Sequence, residues 1–275
     1  MVSMPTVSVI TPNYNGGSFI QRVVESVQQQ HFSLEHIVVD DCSTDNSWAI
    51  LQELGCAYPW LKAVRLDKNS GPVVARNKAI EMASGRFLAL LDVDDFWLPN
   101  KLKTQVRFMQ DNDCGLSFSD YRFVSEDGRK IGRRLEGFHK VGWHLHHMTR
   151  YLGCLTMVVD RNHFPDFKFP NVASYYKAED FIAWSRCMSV SGRPALRCPH
   201  DLARYSVVNN SRSSDYKSAA LSVWKLYRDI EKIGLLLSSV YFFSYSVNAA
   251  WKRLRCKPIL DRSTIDEDYS WSLLD

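Results

Sequence analysis

Residues 86–97 read Arg-Phe-Leu-Ala-Leu-Leu-Asp-Val-Asp-Asp-Phe-Trp, and this stretch limits what the chain can fold into. From Phe87 to Leu91 every position is apolar, so both faces of an extended strand need cover. Such a strand belongs in the middle of a sheet with layers above and below it. The run ends abruptly in Asp92, Asp94 and Asp95. Three carboxylates at one strand end repel each other, and burying each without a counter-charge is costly. A hard cation relieves this, and oxygen ligands suit Mg²⁺ or Mn²⁺. Mg²⁺ is commonly shared between carboxylates and substrate phosphates, which points to a phosphate-bearing ligand. Asp94 and Asp92 are the expected metal ligands. Asp95 reads instead as the cap of the next helix, with Pro99 in its first turn.

The segments before this strand repeat one arrangement. A first strand over 6–11 enters the turn Pro12-Asn13-Tyr14-Asn15-Gly16-Gly17. Ser18 with Gln21 has the spacing of a capping box, and Ile20, Val23, Val24 and Val27 share one helical face. A second strand over 36–40 ends in Asp40, Asp41 and Asp45. The helix after it turns Trp48, Leu51 and Leu54 inward and is expected to stop at Gly55. A third strand over 61–66 leads through Asn69 and Gly71 into a helix over 73–83, with Gly85 at its end. The order β-α-β-α-β-α-β predicts an α/β sheet with helices on its faces.

In such sheets ligands bind beyond the carboxyl ends of the strands. Here three successive ends carry Tyr14, then Asp40, Asp41 and Asp45, then Asp92 and Asp94. Asp and Asn fill turns for steric reasons alone. A crowd of carboxylates beside an aromatic ring exceeds what turns require. A ring to stack on a base, acceptors for base or ribose, and a metal together fit a nucleoside diphosphate. No GxxxxGK[ST] and no GxGxxG occurs, which argues against the Walker and dinucleotide modes. Lys68, Arg76 and Lys78 are candidates to offset phosphate charge. At 275 residues the chain is long enough for one domain with an appendage, and its net charge of +4 is too small to announce nucleic acid. Seven scattered cysteines without a CxxC pair fit reduced thiols in a cytosolic protein. No basic and apolar leader is legible at the N-terminus.

The first ~115 residues resemble the family 2 inverting glycosyltransferases of the GT-A fold. The likeness rests on Val-Ser-Val-Ile-Thr-Pro-Asn-Tyr-Asn (7–15), Val-Val-Asp-Asp-Cys-Ser-Thr-Asp (38–45), Asn69 with Gly71, Ala-Arg-Asn-Lys-Ala (75–79) and Leu-Asp-Val-Asp-Asp-Phe-Trp (91–97). The resemblance implies a mixed, Rossmann-like sheet flanked by helices and a UDP-sugar donor. It assigns Tyr14 to stacking on uracil, Asp41 to the base, Asp92 to the ribose and metal region, and Asp94 to the metal on the diphosphate. Pro12, Asp40, Asn69, Gly71, Arg76 and Val93 fall in the same motifs and complete the expected donor pocket. The second half looks like the teichuronic-acid, exopolysaccharide and O-antigen branch, through Gly153 to Thr156, Arg204-Tyr205 and Val208 to Ser211 with Ser213-Ser214.

Beyond residue 115 the reading is coarser. Segments 115–120 and 121–124 read as strands, followed by a hairpin turn at Glu126-Asp127-Gly128. The basic stretch 130–140 is a candidate flank of the acceptor pocket. His144, His146 and His147 lack a metal-binding spacing and read as surface or packing residues. Glu179-Asp180 opens an amphipathic helix in which Ile182, Trp184, Cys187 and Met188 are free to pack. Acidic residues in a first turn complement the helix dipole. An inverting transfer also needs a base for the acceptor hydroxyl, and a carboxylate is the usual one. Glu179-Asp180 resembles the family's Glu-Asp pair, with Asp180 as base and Glu179 orienting the acceptor.

From Lys217 onward aromatic and aliphatic residues recur at helical spacing, closed by Trp251-Lys252-Arg253-Leu254-Arg255. The apolar run is short for a transmembrane span. It reads as helices lying on an anionic membrane or, equally, packed on the catalytic core or a second copy in a homodimer. The expected organisation is a transferase domain over 1–215, with a donor half (1–115) and an acceptor half (116–215), then an appendage over 216–275. The expected setting is cytoplasmic, peripheral on the inner face of the cell membrane. The acceptor would be a glycan on a polyprenyl diphosphate lipid. Two rival functions are a nucleotidyltransferase, which normally carries an N-terminal Gly-rich loop absent here, and a non-catalytic nucleotide-sugar binder.

Overall fold

The computed structural model describes residues 5–149, 151–171, 178–208, 216–255 and 260–261. The motif residues Asn209, Asn210, Ser211, Ser213 and Ser214, and Cys256, lie outside them. The first part alternates strand and helix as expected: β1 (Val7–Asn13), α1 (Gly17–Gln28), β2 (Leu34–Asp40), α2 (Ser47–Ala57), β3 (Leu61–Arg65), α3 (Pro72–Met82) and β4 (Phe87–Leu90). Strands β1 to β4 pair in parallel in the order β4-β1-β2-β3. The run 87–91 divides its side chains between two cores. Phe87, Ala89 and Leu91 join Val7, Val9 and the inner faces of α1 and α2. Leu88 and Leu90 join Ile10, Ala75, Ala79 and Trp184 on the other side. Both cores are dry, with Phe87, Leu88 and Ala89 at 0 % exposure. Each large side chain so buried contributes about 1.5–3 kcal/mol.

The second part comprises β5 (Phe96–Trp97), α4 (Lys101–Asp111), β6 (Leu116–Ser125), β7 (Lys130–Ile131), β8 (Lys140–Val141), α5 (Trp143–Met148), β9 (Met157–Asp160), α6 (Glu179–Ser191), β10 (Ala195–Val207), α7 (Tyr216–Lys225), α8 (Leu235–Arg255) and β11 (Leu260–Asp261). Strand β9 runs antiparallel between β4 and β6, so the first and second parts of the chain share one continuous sheet. Strand β10 returns parallel to β6 over nearly its whole length. The hairpin at 126–128 forms, with Gly128 at φ 70° and Val124 opposite Ile131. The appendage is not detached. Tyr241 and Tyr245 of α8 pack with Phe181 and Ile182 of α6, and β11 adds to the sheet edge at β7.

Three local expectations fail, each for a tertiary reason. Ser18 and Gln21 form no capping box; Gln21 donates to Glu25 instead. The free N–H of Gly17 is taken by Asp45 Oδ2 at 3.0 Å, so the cap comes from the neighbouring strand end. Gly55 does not stop α2, which runs on to Ala57. Asp95 does not cap α4, whose N-terminal neighbour is Asn100. Asp95 is 1 % exposed, and its Oδ1 accepts the backbone N–H of Ser206 at 2.8 Å. It ties the acidic loop to β10. The histidines pack as expected: His146 stacks on Phe181, and His147 bonds the carbonyl of Trp143 through Nδ1 at 2.7 Å.

Candidate active site

The parallel pairing of β1 and β2 brings Asn13 opposite Asp40, so their loops leave the sheet side by side. Asn13 Nδ2 donates to Asp40 Oδ1 at 2.7 Å, and Ser43 donates to Asp40 through both its N–H (3.1 Å) and its hydroxyl (2.5 Å). Arg65 lies 3.4 Å from the other oxygen. Asp40 is thus wholly buried and spent on loop architecture. The N–H of Asn15 donates to Ser43 Oγ at 2.9 Å, and Asn15 Oδ1 accepts the N–H of Thr44 at 2.8 Å. With its neighbours on both sides pinned, Tyr14 is 48 % exposed on a fixed backbone. Pro12 lies in β1 beneath it, opposite Val39.

Asp41 is also buried, and its two oxygens accept the N–H groups of Ser70 and Gly71, each at 2.7 Å. Gly71 sits at φ 89°, a conformation that a side chain would strain, and it immediately precedes α3. Asn69, Lys68 and Lys78 are exposed. Val93 touches the first loop: a Cβ at Gly16 would stand 2.8 Å from its Cγ1, so only glycine lets the two loops meet.

Arg76, on the buried face of α3, joins the two halves. Its Nη2 donates to Asp92 Oδ1 at 2.6 Å, and its Nη1 reaches Glu179 Oε1 at 3.4 Å. Its guanidinium lies over the Phe169 ring. Burial opposes the charge, but Asp92 and Glu179 hold the guanidinium firmly protonated. Arg76 is therefore committed to two carboxylates, and the phosphate-offsetting role that its sequence position suggests is at most shared with them. Asp180 follows Glu179 in the first turn of α6, and Oδ1 accepts the N–H of Phe181 at 2.8 Å. The buried Cys154 lies within electrostatic reach of Arg76, Asp92, Asp180 and Glu179, and burial pushes its thiol well up, away from a reactive thiolate.

Asp94 is less well served. Burial and the adjacent Asp92 push it up to about 6. Asp95, buried beside both, is also pushed up. With Asp92 paired to Arg76, Asp94 is the carboxylate that a cation would relieve, and its hard oxygens fit Mn²⁺ or Mg²⁺. No cluster of three or more His, Cys, Asp or Glu side chains stands ready for a metal among the described residues. A metal here would complete its shell with phosphate oxygens and water. Arg22, on α1, is a contributor that sequence reasoning misses. It donates through Nη2 to the carbonyl of Asp94 at 2.6 Å and to Ser206 Oγ at 3.0 Å, fixing the acidic loop from behind. These partners are 72 and 184 positions away, so no local pattern marks it.

This geometry can be set beside known proteins. Residues 8–178 match the family model described as glycosyl transferase family 2. The chain belongs to glycosyl transferase family 2. This family 2 member is 38 % identical over 251 residues to the putative teichuronic acid biosynthesis glycosyltransferase TuaG of Bacillus subtilis, covering 91 % of this chain and 98 % of that one. It is 29 % identical over 224 residues to the UDP-Glc:alpha-D-GlcNAc-diphosphoundecaprenol beta-1,3-glucosyltransferase WfgD of Escherichia coli, covering 81 % and 85 %. Among solved structures, S. aureus TarS 1-349 in complex with UDP-GlcNAc superposes with a TM-score of 0.65 at 21 % identity, covering 98 % of this chain and 76 % of that one. The mannosyltransferase PcManGT from Pyrobaculum calidifontis, in complex with GDP-Man and Mn²⁺, gives 0.65 at 17 % identity, covering 99 % and 81 %. The fold of this family 2 glycosyltransferase is GT-A, as the sequence resemblance implies.

Proposed function

We propose that the chain transfers one sugar, with inversion, from a UDP-sugar to a hydroxyl of a glycan carried on a polyprenyl diphosphate lipid. The setting is bacterial surface-polysaccharide synthesis, on the cytoplasmic face of the cell membrane. The observation that carries this reading is the Asp92–Arg76–Glu179 bridge. It draws the donor-side strand end and the first turn of α6 into one site, although 103 positions separate Arg76 from Glu179. The relatives add support: WfgD is named for a UDP-glucose donor and a diphosphoundecaprenol acceptor.

In this reading Tyr14 stacks on the uracil, and the loops of Pro12, Asp40, Asp41, Asn69, Gly71 and Val93 shape the nucleoside pocket. Asp94 and Asp92 would hold Mn²⁺ or Mg²⁺, which supplies Lewis-acid stabilisation of the departing diphosphate. Asp180 takes the proton of the acceptor hydroxyl as that oxygen attacks the anomeric carbon opposite the leaving group. Glu179, fixed by Arg76, orients the acceptor. Residues 1–115 carry the donor, 116–215 the acceptor, and 216–275 the appendage.

The test is UDP release against a panel of UDP-sugars with Mn²⁺ and a lipid-linked acceptor, for wild type and Asp180→Asn. Loss of a general base costs about 10²- to 10⁴-fold in kcat. Donor binding by the variant is expected to match wild type. Equal turnover by the two proteins would remove Asp180 from the base role. UDP-sugar binding without turnover on any acceptor would make the chain a binder.

A further inference from the structure

Asn77 follows Arg76 on α3, and its carboxamide is spent on a single distant residue. Nδ2 donates to the Phe169 carbonyl at 2.9 Å, and Oδ1 accepts the Phe169 N–H at 2.8 Å, across 92 positions of chain. Phe169 belongs to no strand or helix, so Asn77 supplies its backbone with the pairing that a neighbouring strand would give. A carboxamide suits this because it offers a donor and an acceptor on one planar group. An aspartate here would aim an oxygen at the carbonyl, and an aliphatic residue would leave both backbone groups unpaired. The neighbouring tie, Lys168 to Glu81 at 3.5 Å, is exposed and weak. The polar hold of α3 on Phe169 is therefore that of Asn77.

What the clamp fixes is a ring. Phe169 is 2 % exposed, and its ring touches both helices that build the site. The Arg76 guanidinium lies over it, 5.4 Å from the centroid, and the Trp184 ring meets it at 5.9 Å and 72°. Trp184 is wholly buried on α6, the helix that opens with Glu179-Asp180, and it also stacks on Phe167. The ring is thus held between Arg76 and the helix that Arg76 must reach. Arg76 bonds Asp92 at 2.6 Å but meets Glu179 only at 3.4 Å, beyond the ordinary range of an N–H···O bond. That longer contact is the one a small displacement of the guanidinium would break. We propose that Asn77 is a positioning residue for the transfer: by clamping Phe169 it sets Arg76 between Asp92 and Glu179. This role rests on the transferase reading, in which Glu179 orients the acceptor. Asn77 acts through Phe169 and Arg76, since both ends of its carboxamide are taken.

Asn77→Ala in the full chain tests this in two ways. In its crystal structure, grown without any sugar, the Phe169 ring is expected to leave Arg76, and the Arg76–Glu179 contact to be lost. Arg76 and Phe169 unmoved would overturn the proposal. In turnover, the acceptor probe is alpha-D-GlcNAc-diphosphoundecaprenol, for which WfgD is named, with the UDP-sugar that wild type uses. The acceptor KM should rise about ten- to hundredfold, the scale of a small misplacement within a site, while UDP affinity by calorimetry stays within about twofold of wild type. A clamp that served stability alone would lower the active fraction and leave KM unchanged, and that outcome also overturns the proposal. Phe169→Leu keeps both backbone bonds to Asn77 but removes the ring, so it carries the same kinetic expectation should Asn77→Ala not fold. A wild-type acceptor KM in Phe169→Leu would show that the ring does not transmit the clamp. The double variant should be no worse than the more affected single one, because both changes cut one chain of contacts. Absence of wild-type turnover on every lipid-linked acceptor would sink the transferase reading and this role with it. Turnover by wild type with unchanged variants would remove Asn77 alone.

Discussion

The acidic loops after β2 and β4 flank the same strand, β1, yet they treat their carboxylates in opposite ways. In the first, Asp40 accepts from Asn13 and Ser43, and Asp41 accepts from two backbone N–H groups. Those carboxylates are internal fasteners. In the second, Arg76 pairs with Asp92, while half-buried Asp94 and buried Asp95 stand against like charge and are pushed up. Counting acidic residues does not separate these cases. The donors that surround each group do: those on Asp40 and Asp41 are in place, while Asp94 stays above the usual carboxylate range despite Arg22 and Arg76 nearby.

The sharpest way to break the comparison is Asp94→Asn. Turnover with saturating Mn²⁺ is expected to fall by roughly 10²- to 10³-fold, the scale of losing one group that stabilises a charged transition state. A variant that kept wild-type steady-state rates would place the metal elsewhere.

The same substitution should help the empty protein. Because Asp94 is raised to about 6, the folded state holds its proton more tightly than the unfolded chain does. Its favourable contribution is complete below the ordinary carboxylate range and is lost as pH rises through about 6. In EDTA at pH 8, Asp94→Asn is expected to gain about 1–3 kcal/mol in urea unfolding, at roughly 1.4 kcal/mol per pH unit. A loss of stability there would show that Asp94 is already compensated.

In the satisfied loop the expectation reverses. Asp40→Asn replaces one acceptor oxygen with an NH2 donor facing the donors of Ser43 and Asn13 and should cost about 1–3 kcal/mol, measured by the same unfolding curves. An unchanged midpoint would mean that the loop is not held by Asp40.

The opposite pH dependence belongs to Glu35, a third carboxylate, served by Ser8, Lys62 and Ser84. Burial works against its charge, yet these donors bring it down to about 2. Its contribution is present above the ordinary glutamate range and is lost as pH falls toward 2. Glu35→Gln should therefore flatten the acid limb of a Tm-against-pH curve without altering the alkaline limb.

What the sequence determined by itself is local and repetitive. The both-faces-apolar run 87–91, the strand–helix alternation before it, and the acidic strand ends follow from periodicity and from parallel strands that leave a sheet on one edge. What only the tertiary structure decided depends on partners far along the chain. Asp45 caps α1, Asp95 anchors Ser206, Arg22 braces Asp94, and Arg76 ties Asp92 to Glu179. Likewise, the spacing of the α8 residues marks them as apolar, but only the packing of Tyr241 and Tyr245 against α6 shows which stripe is spent and which faces outward. The physical reason is the same throughout. A charged or apolar side chain has a fixed chemical need, and the fold alone determines which neighbour meets it.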